Sequence, residues 1–259
     1  MLRSLWVLAA GAVLTAWYAG KVVLLSLLRM DERLRCRCGG YQRRWARGIL
    51  RAAGVRVRLE GVEHIQEPRG RIIVSNHESW FDVFALAAHL PGPHRFVGKR
   101  ELDAIPVFGR AWRACGHVSI DRGNRESAIQ SLSAAAARIR EQGFSIIMFP
   151  EGTRSPDGSL QPFKKGAFVL AIQSGVPIVP VAVIGSRAVM PKGSFSIRRG
   201  EILIRVGEPI DVGELSLQDR DALQARARSA VAALRGGEGP SALPAPRTRT
   251  PTAGGRPAA

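Results

Sequence analysis

The chain has 259 residues, 46% hydrophobic and 23% charged, a composition that suits one sizeable α/β domain plus a small extra element. This excludes a disulfide-stapled miniprotein and a collagen-like or wholly disordered chain; a polytopic transporter is excluded because a single stretch is apolar enough to meet a bilayer. Lys and Arg number 38 against 21 Asp and Glu, and the resulting +17 implies an anionic partner: nucleic acid, an anionic membrane or a phosphorylated substrate. The three cysteines, with Cys36 and Cys38 two positions apart, read as free thiols of a reducing compartment, since Cys-x-Cys offers too few ligands for zinc.

From Leu5 to Leu28 the chain is apolar except for Lys21. A helix of that length, at about 1.5 Å per residue, reaches across a hydrocarbon core of roughly 30 Å. A cleaved signal peptide has a shorter apolar run, whereas here the run resumes after Lys21, so the segment is expected to be a membrane anchor. Trp6, Trp17 and Tyr18 suit interface depth. Ten arginines follow between Arg29 and Glu60, against Asp31, Glu32 and Glu60. Helical spacing puts Tyr41, Trp45, Ile49 and Ala52 near one face, with Arg43, Arg44, Arg47 and Arg51 largely elsewhere. A basic amphipathic helix beside an apolar segment suits an anionic lipid surface, and the contrast with lone Arg3 on the other flank predicts a cytoplasmic domain.

After Gly54, short β-rich runs alternate with helical periods. VRVRLEG from Val55 and RIIVSN from Arg71 are expected strands, as are HVSI, FSIIMFP, PIVPVAVI and EILIRVG. Pro177 and Pro180 place the run PIVPVAVI at a strand start or a sheet edge, because proline cannot donate to a ladder. ESWFDVFALAAHL is an expected helix stopped by Pro91 and Gly92. A second starts near Ser127 with Ile129, Leu132, Ala136 and Ile139 on one face, and a third follows Lys165 and ends at Gly175. The implied fold is α/β, a mostly parallel or mixed sheet flanked by helices, with an N-terminal membrane-associated helical segment. Three regions follow: residues 1–53 as hydrophobic anchor and basic amphipathic helix, 54–235 as the α/β domain, and 236–259 as a tail. That tail, with five prolines and five glycines, is too poor in apolar runs to offset chain entropy and is expected to be disordered.

Three clusters carry chemistry. RIIVSN runs into Asn76 and His77, with Asp82 five residues after the histidine. A histidine at a strand-to-helix junction stands where open α/β sheets bind ligands, and imidazole is the usual general base near neutral pH. Asp82, about one helical turn on, can hold the ring in one tautomer, as the carboxylate of a hydrolase triad does. No G-x-S-x-G elbow accompanies the pair, and neither Ser75 nor Ser79 is marked as a nucleophile. A His-Asp pair without a nucleophile points to activation of the substrate's own hydroxyl. Phe81 stands where the second histidine of H-E-x-x-H belongs, which argues against metal ligation by His77, Glu78 and Asp82. The second cluster brings Lys99, Arg100 and Arg122 into a short span, with Pro106 and Gly109 marking a turn before a helix. The third is FPEGTRS, Phe149 to Ser155, past a very apolar strand: Gly152, between Glu151 and Thr153, lets backbone N–H groups approach an anion, and Arg154 can chelate phosphate bidentately.

Together these blocks resemble the 1-acyl-sn-glycerol-3-phosphate acyltransferases of the wider glycerolipid acyltransferase family. NHxxxxD stands at Asn76–Asp82, F-x-x-K-x-E-L-x-x-x-P-x-x-G at Phe96–Gly109, FPEGTRS at Phe149–Ser155 and V-P-I-x-P-V at Val176–Val181. I-D-R ends at Arg122, and the similarity covers roughly Gly54 to Asp211. The resemblance implies that His77, oriented by Asp82, is general base for the free hydroxyl of a lysophospholipid. That oxygen would attack the thioester of acyl-CoA or acyl-carrier protein with no acyl-enzyme. It further implies Lys99 and Arg154 at the acceptor phosphate, Glu151, Gly152 and Thr153 shaping that pocket, Arg122 as a further contributor, and no metal or redox cofactor. The same chemistry on a lyso-ornithine lipid, another lysophospholipid or glycerol 3-phosphate is the nearest rival. A membrane-tethered nucleic-acid-binding protein is disfavoured, because the charge concentrates beside the apolar segment and base-stacking motifs are lacking.

Overall fold

The computed structural model describes residues 1–65 and 70–236, with the backbone alone over 31–36 and at 125. The expected tail falls outside the described residues apart from Gly236. Helix α1 (Leu2–Leu27) and helix α2 (Asp31–Ala52) form an N-terminal pair. They approach closely where a Cβ on Gly48 would come within 2.9 Å of Leu14, so glycine sets the spacing. Trp45 on α2 donates its indole N–H to Thr15 on α1 at 2.9 Å. On α1 only Val7, Ala19 and Val22 are buried, while Leu5, Trp6, Val13, Trp17, Leu24 and Leu27 are exposed, leaving a long apolar face without a protein partner among the described residues. Tyr18, grouped in the sequence with the interface aromatics, instead turns inward to Tyr41, with ring centroids 6.2 Å apart.

The body has seven strands among the described residues: β1 (Val55–Glu60), β2 (Ile72–Ser75), β3 (His94–Lys99), β4 (Val118–Ile120), β5 (Ser145–Met148), β6 (Ile178–Ile184) and β7 (Gly200–Val206). Their order is β1-β7-β6-β2-β5-β3-β4, parallel throughout except between β6 and β7. Six helices complete it: α3 (Trp80–His89), α4 (Phe108–Ala114), α5 (Arg125–Gln142), α6 (Gly166–Ser174), the short α7 (Ser186–Val189) and α8 (Arg220–Leu234). The period-2 alternation of strands sends Ile73, Ile147 and Val179 into the core under α2 and α3, and Ile72, Val74, Ile146 and Ile178 into the core under α5, α6 and α8. Both faces of the central strands are therefore covered, which is why β2 is apolar at every position but the last and buried throughout.

Four expectations need correction. The run PIVPVAVI is not at a sheet edge: its strand starts at Ile178, directly after Pro177, but β6 lies between β7 and β2 with Pro180 inside it. Its proline is accommodated because the ladder to β7 begins only at Val181, and Pro180 faces that interruption, its carbonyl accepting from Gly207 N at 2.9 Å. Ile129 is half exposed, while Leu132, Ala136 and Ile139 are buried as the spacing implied. The cysteines are not all free thiols: Cys38 on α2 and Cys115 at the end of α4 form a disulfide, a pairing invisible across 77 residues of sequence. Finally, His94–Lys99, where no strand was expected, forms β3, which pairs with β5 at one end and β4 at the other.

Candidate active site

The sheet topology opens a crevice at β2. From β2 the chain crosses through α3 to β3 on one side, whereas β5 crosses through α6 to β6 on the other, so the carboxyl end of β2 is a switch point where connections diverge. Asn76, the next residue, supplies by side chain the rung the backbone has stopped making: Oδ1 accepts from Val183 N and Nδ2 donates to Val183 O, each at 2.8 Å.

Ser79 is the N-cap of α3; its Oγ accepts from Phe81 N at 3.2 Å and donates to Met190 O at 2.7 Å. Asp82, third residue of the helix, reaches back in a capping box, its Oδ2 accepting from Ser79 N at 2.8 Å and from Glu78 N at 2.7 Å. The same oxygen stands 2.8 Å from His77 Nδ1. The interval of five residues therefore has a structural cause: a helix-capping carboxylate curls toward the residues ahead of the cap and meets the imidazole there. Asp82 is fully buried, and its Oδ1 has no hydrogen-bond partner among the described residues. With Nδ1 committed to the carboxylate, Nε2 is the nitrogen left for chemistry, in a ring that stacks on Phe149 at 4.0 Å and lines a large cavity.

The turn after β5 braces this pair from behind. Glu151 Oε1 accepts from His77 N at 2.6 Å and Oε2 from Gln161 N at 3.0 Å, and Ser155 N donates to His77 O at 2.7 Å. Gly152 adopts φ of +76°, a left-handed conformation that favours glycine. Burial pushes the Glu151 carboxyl up to about 7, against the two backbone N–H bonds, with the Glu78 charge adding to the rise and Arg235 opposing it. Between its ordinary value of 4.5 and about 7 the folded chain holds a proton that the unfolded chain has released. That contribution to stability is complete below 4.5 and is lost as the pH rises through 7. In thermal unfolding across this range, the midpoint of the parent chain falls with pH more steeply than that of Glu151→Gln; equal slopes would refute the assignment.

Sequence-expected residues converge. His77, Lys99, Arg122, Gly152, Thr153 and Arg154 all line one cavity of about 830 Å³. Glu151 does not line it; its carboxylate lies behind the wall, on backbone donors. Arg154 stacks over Trp80 at 5.2 Å, its pKa lowered by partial burial and held up by the Asp82 charge. Arg122 donates to Gly152 O, and Lys99 is half exposed beside Glu101 at 3.9 Å. Away from these polar groups the cavity is apolar and runs between α1, α2 and α4, past Tyr18, Val22, Tyr41, Phe108 and Trp112. His117 lies in that wall against Trp112 at 4.2 Å; burial lowers its pKa well below the ordinary imidazole value, and its Nδ1 accepts from Phe96 N. One contact beside the site had no sequence signal: Glu78, buried beside Asp82, is met by Arg235 at 2.9 Å from the end of α8.

The chain is similar to known proteins in sequence and in fold. A family model described as Acyltransferase covers residues 56–184. The chain is 38% identical over 168 residues to a 1-acyl-sn-glycerol-3-phosphate acyltransferase of Limnanthes douglasii, spanning 65% of this chain and 59% of that one. It is 35% identical over 178 residues to the human 1-acyl-sn-glycerol-3-phosphate acyltransferase alpha, spanning 69% and 63%. The chain thus spans about three fifths of the length of these curated relatives. The crystal structure of the 1-acyl-sn-glycerophosphate (LPA) acyltransferase, PlsC, from Thermotoga maritima superposes with a TM-score of 0.76 at 28% identity, covering 92% of this chain and 97% of that one. Residues 56–184 thus match an acyltransferase model, and the chain is similar in sequence and fold to the 1-acyl-sn-glycerol-3-phosphate acyltransferases.

Proposed function

We propose that the protein transfers an acyl chain from acyl-CoA or acyl-carrier protein to the sn-2 hydroxyl of 1-acyl-sn-glycerol 3-phosphate, giving phosphatidic acid for phospholipid synthesis. The observation that carries this reading is a His77–Asp82 pair at 2.8 Å facing a cavity that is polar at one end and apolar along its length. The thioester chain lies in the apolar part, which brings its carbonyl to His77. Nε2 takes the proton of the acceptor hydroxyl as the oxygen attacks the thioester carbon, and Asp82 stabilises the imidazolium. The tetrahedral intermediate then collapses, the C–S bond breaks, and the leaving thiolate takes the proton from Nε2. No bond forms between chain and protein, no metal or redox cofactor is called for, and water is kept out by the apolar lining.

Arg154, with Lys99 at the mouth and Arg122 behind Gly152, receives the acceptor phosphate. The exposed apolar face of α1 enters the bilayer from which the lipid comes, and the arginines of α2 hold the domain to the anionic cytoplasmic surface. Purified protein assayed with several lyso-acceptors and both donor types tests the reading. Arg154→Ala is expected to raise the KM for the phosphate-bearing acceptor by about 10- to 100-fold, the span of charge-assisted hydrogen bonds. If the preferred acceptor lacks a phosphate and Arg154→Ala is silent, the phosphate assignment fails.

A further inference from the structure

A second cavity of about 400 Å³ adjoins the first, between α1, α2, the start of α3 and residues 190–197. It shares with the first a wall made by Thr15, Trp45, Trp80, Phe84 and Arg154. That wall is well fastened: Trp45 donates to Thr15 at 2.9 Å and meets Phe84 edge-on at 5.3 Å, while Trp80 carries the Arg154 guanidinium. The rest of the lining is mainly apolar, and its rim carries the exposed Leu8, Trp80 and Phe195. His77 lines the first cavity only. The reaction proposed above therefore has one catalytic base, one large apolar cavity beside it, and one cation standing between that cavity and a smaller one.

We infer that the smaller cavity binds the acyl chain already present on the acceptor, the sn-1 chain of a monoacyl glycerophosphate, and so sorts it from the incoming chain. This deepens the acyltransferase reading and rests on it. Charge complementarity chooses the occupant. A phosphate held by Arg154 is bonded to a glycerol whose free hydroxyl must reach His77, on the side of the first cavity. The esterified carbon is next to that hydroxyl carbon, so its chain departs from the same point and enters the cavity on the other side of Arg154. Lys192, just ahead of the rim, hydrogen-bonds Thr153 at 3.3 Å and adds positive charge where the headgroup sits. A donor thioester lacks this geometry: its carbonyl must lie at His77, and its other end is a water-soluble carrier.

Gly11 offers a selective test, because it lines the second cavity alone and a Cβ there meets nothing within 4 Å. Gly11→Leu fills that cavity from within a helix, where leucine is the better former. Acceptors with sn-1 chains of increasing length are compared at a fixed mole fraction in detergent micelles, and donors of increasing length are compared with one acceptor. In the parent chain the acceptor KM is expected to fall as the sn-1 chain lengthens toward the size of the cavity, by well under the roughly fourfold per methylene of transfer from water because the chain leaves a micelle, and then to level off. Gly11→Leu is expected to bring the levelling-off to shorter sn-1 chains and to raise KM for long-chain acceptors at least tenfold, with the donor chain-length profile unmoved. Gly20→Leu, also with open space at its Cβ and lining neither cavity, keeps the parent profile. A parent KM indifferent to sn-1 length, or a Gly11→Leu protein with parent-like acceptor preference, means that this chain stays in the bilayer, and overturns the inference alone. A shift in donor profile assigns the cavity to the donor and also overturns it. Absence of transfer to every monoacyl glycerophosphate by the parent chain overturns the underlying reading instead. If Gly11→Leu fails to fold, photolysis of a lysophosphatidate carrying a diazirine on its sn-1 chain decides with the parent chain: adducts at Ile49 or Ile197 support the inference, and adducts confined to Tyr18 or Phe108 refute it.

Discussion

Replacing His77 by alanine is expected to lower kcat for acyl transfer by about 10²- to 10⁴-fold, the usual contribution of a positioned general base. In the proposed mechanism the ring is the base; one of its nitrogens is engaged by Asp82 at 2.8 Å and the residue lines the cavity. The competing explanation is packing, because the imidazole also stacks on Phe149. The two separate experimentally. A packing role lowers the melting temperature and leaves the kcat of the remaining folded protein near normal, whereas a base role leaves the fold and removes turnover. Added imidazole, which fits the vacated space, should restore part of the rate. Turnover that survives the substitution, or an acyl group trapped covalently on the protein, would falsify the mechanism.

Asp82→Asn is expected to lower kcat on the order of 10³-fold while the protein stays folded. The carboxamide oxygen can still accept from Ser79 N and Glu78 N, so the start of α3 remains capped. What disappears is the negative charge that stabilises the protonated ring and fixes its tautomer. Asp82→Ala is a different experiment: it leaves those two backbone donors without their acceptor, each at a cost of about 1–3 kcal/mol, and should destabilise as well as inactivate. An asparagine variant with full kcat would reduce Asp82 to a helix cap.

How much of this was legible in the sequence follows from chain distance. His77 and Asp82 were visible because the strand-to-helix junction is local: a helix cap and its third residue meet by geometry that five residues suffice to specify. The strands with alternating or continuous apolar runs were visible for the same reason, since each face of β2 and β5 is written in neighbouring residues. What was hidden depends on tertiary packing. Glu78 was weighed only as a metal ligand, and nothing local foretold that α8 would bring Arg235 to it across 157 residues. Asn76 gave no hint that its amide would take the place of a ladder rung to Val183. Strand β3 was masked by His94, Arg95 and Lys99, whose charge outweighed the short apolar stretch between them. Pro180 obeyed the rule that proline avoids ladder donors, but the place where no donor was needed lay inside the sheet, at the break between β7 and the segment that pairs with Ile178. Of the candidate site, the His77–Asp82 contact was readable; the cavity was not, because its walls come from α1, α2, α3 and α4 together.

The disulfide between Cys38 and Cys115 has a mechanical consequence. It rivets the second helix of the amino-terminal pair to the short helix that closes the cavity. A tug or tilt imposed on the outer helices by a surrounding lipid sheet is therefore transmitted through a covalent strut to the catalytic body. Draught and heading relative to that sheet are set for both parts at once, as with a keel bolted to a hull.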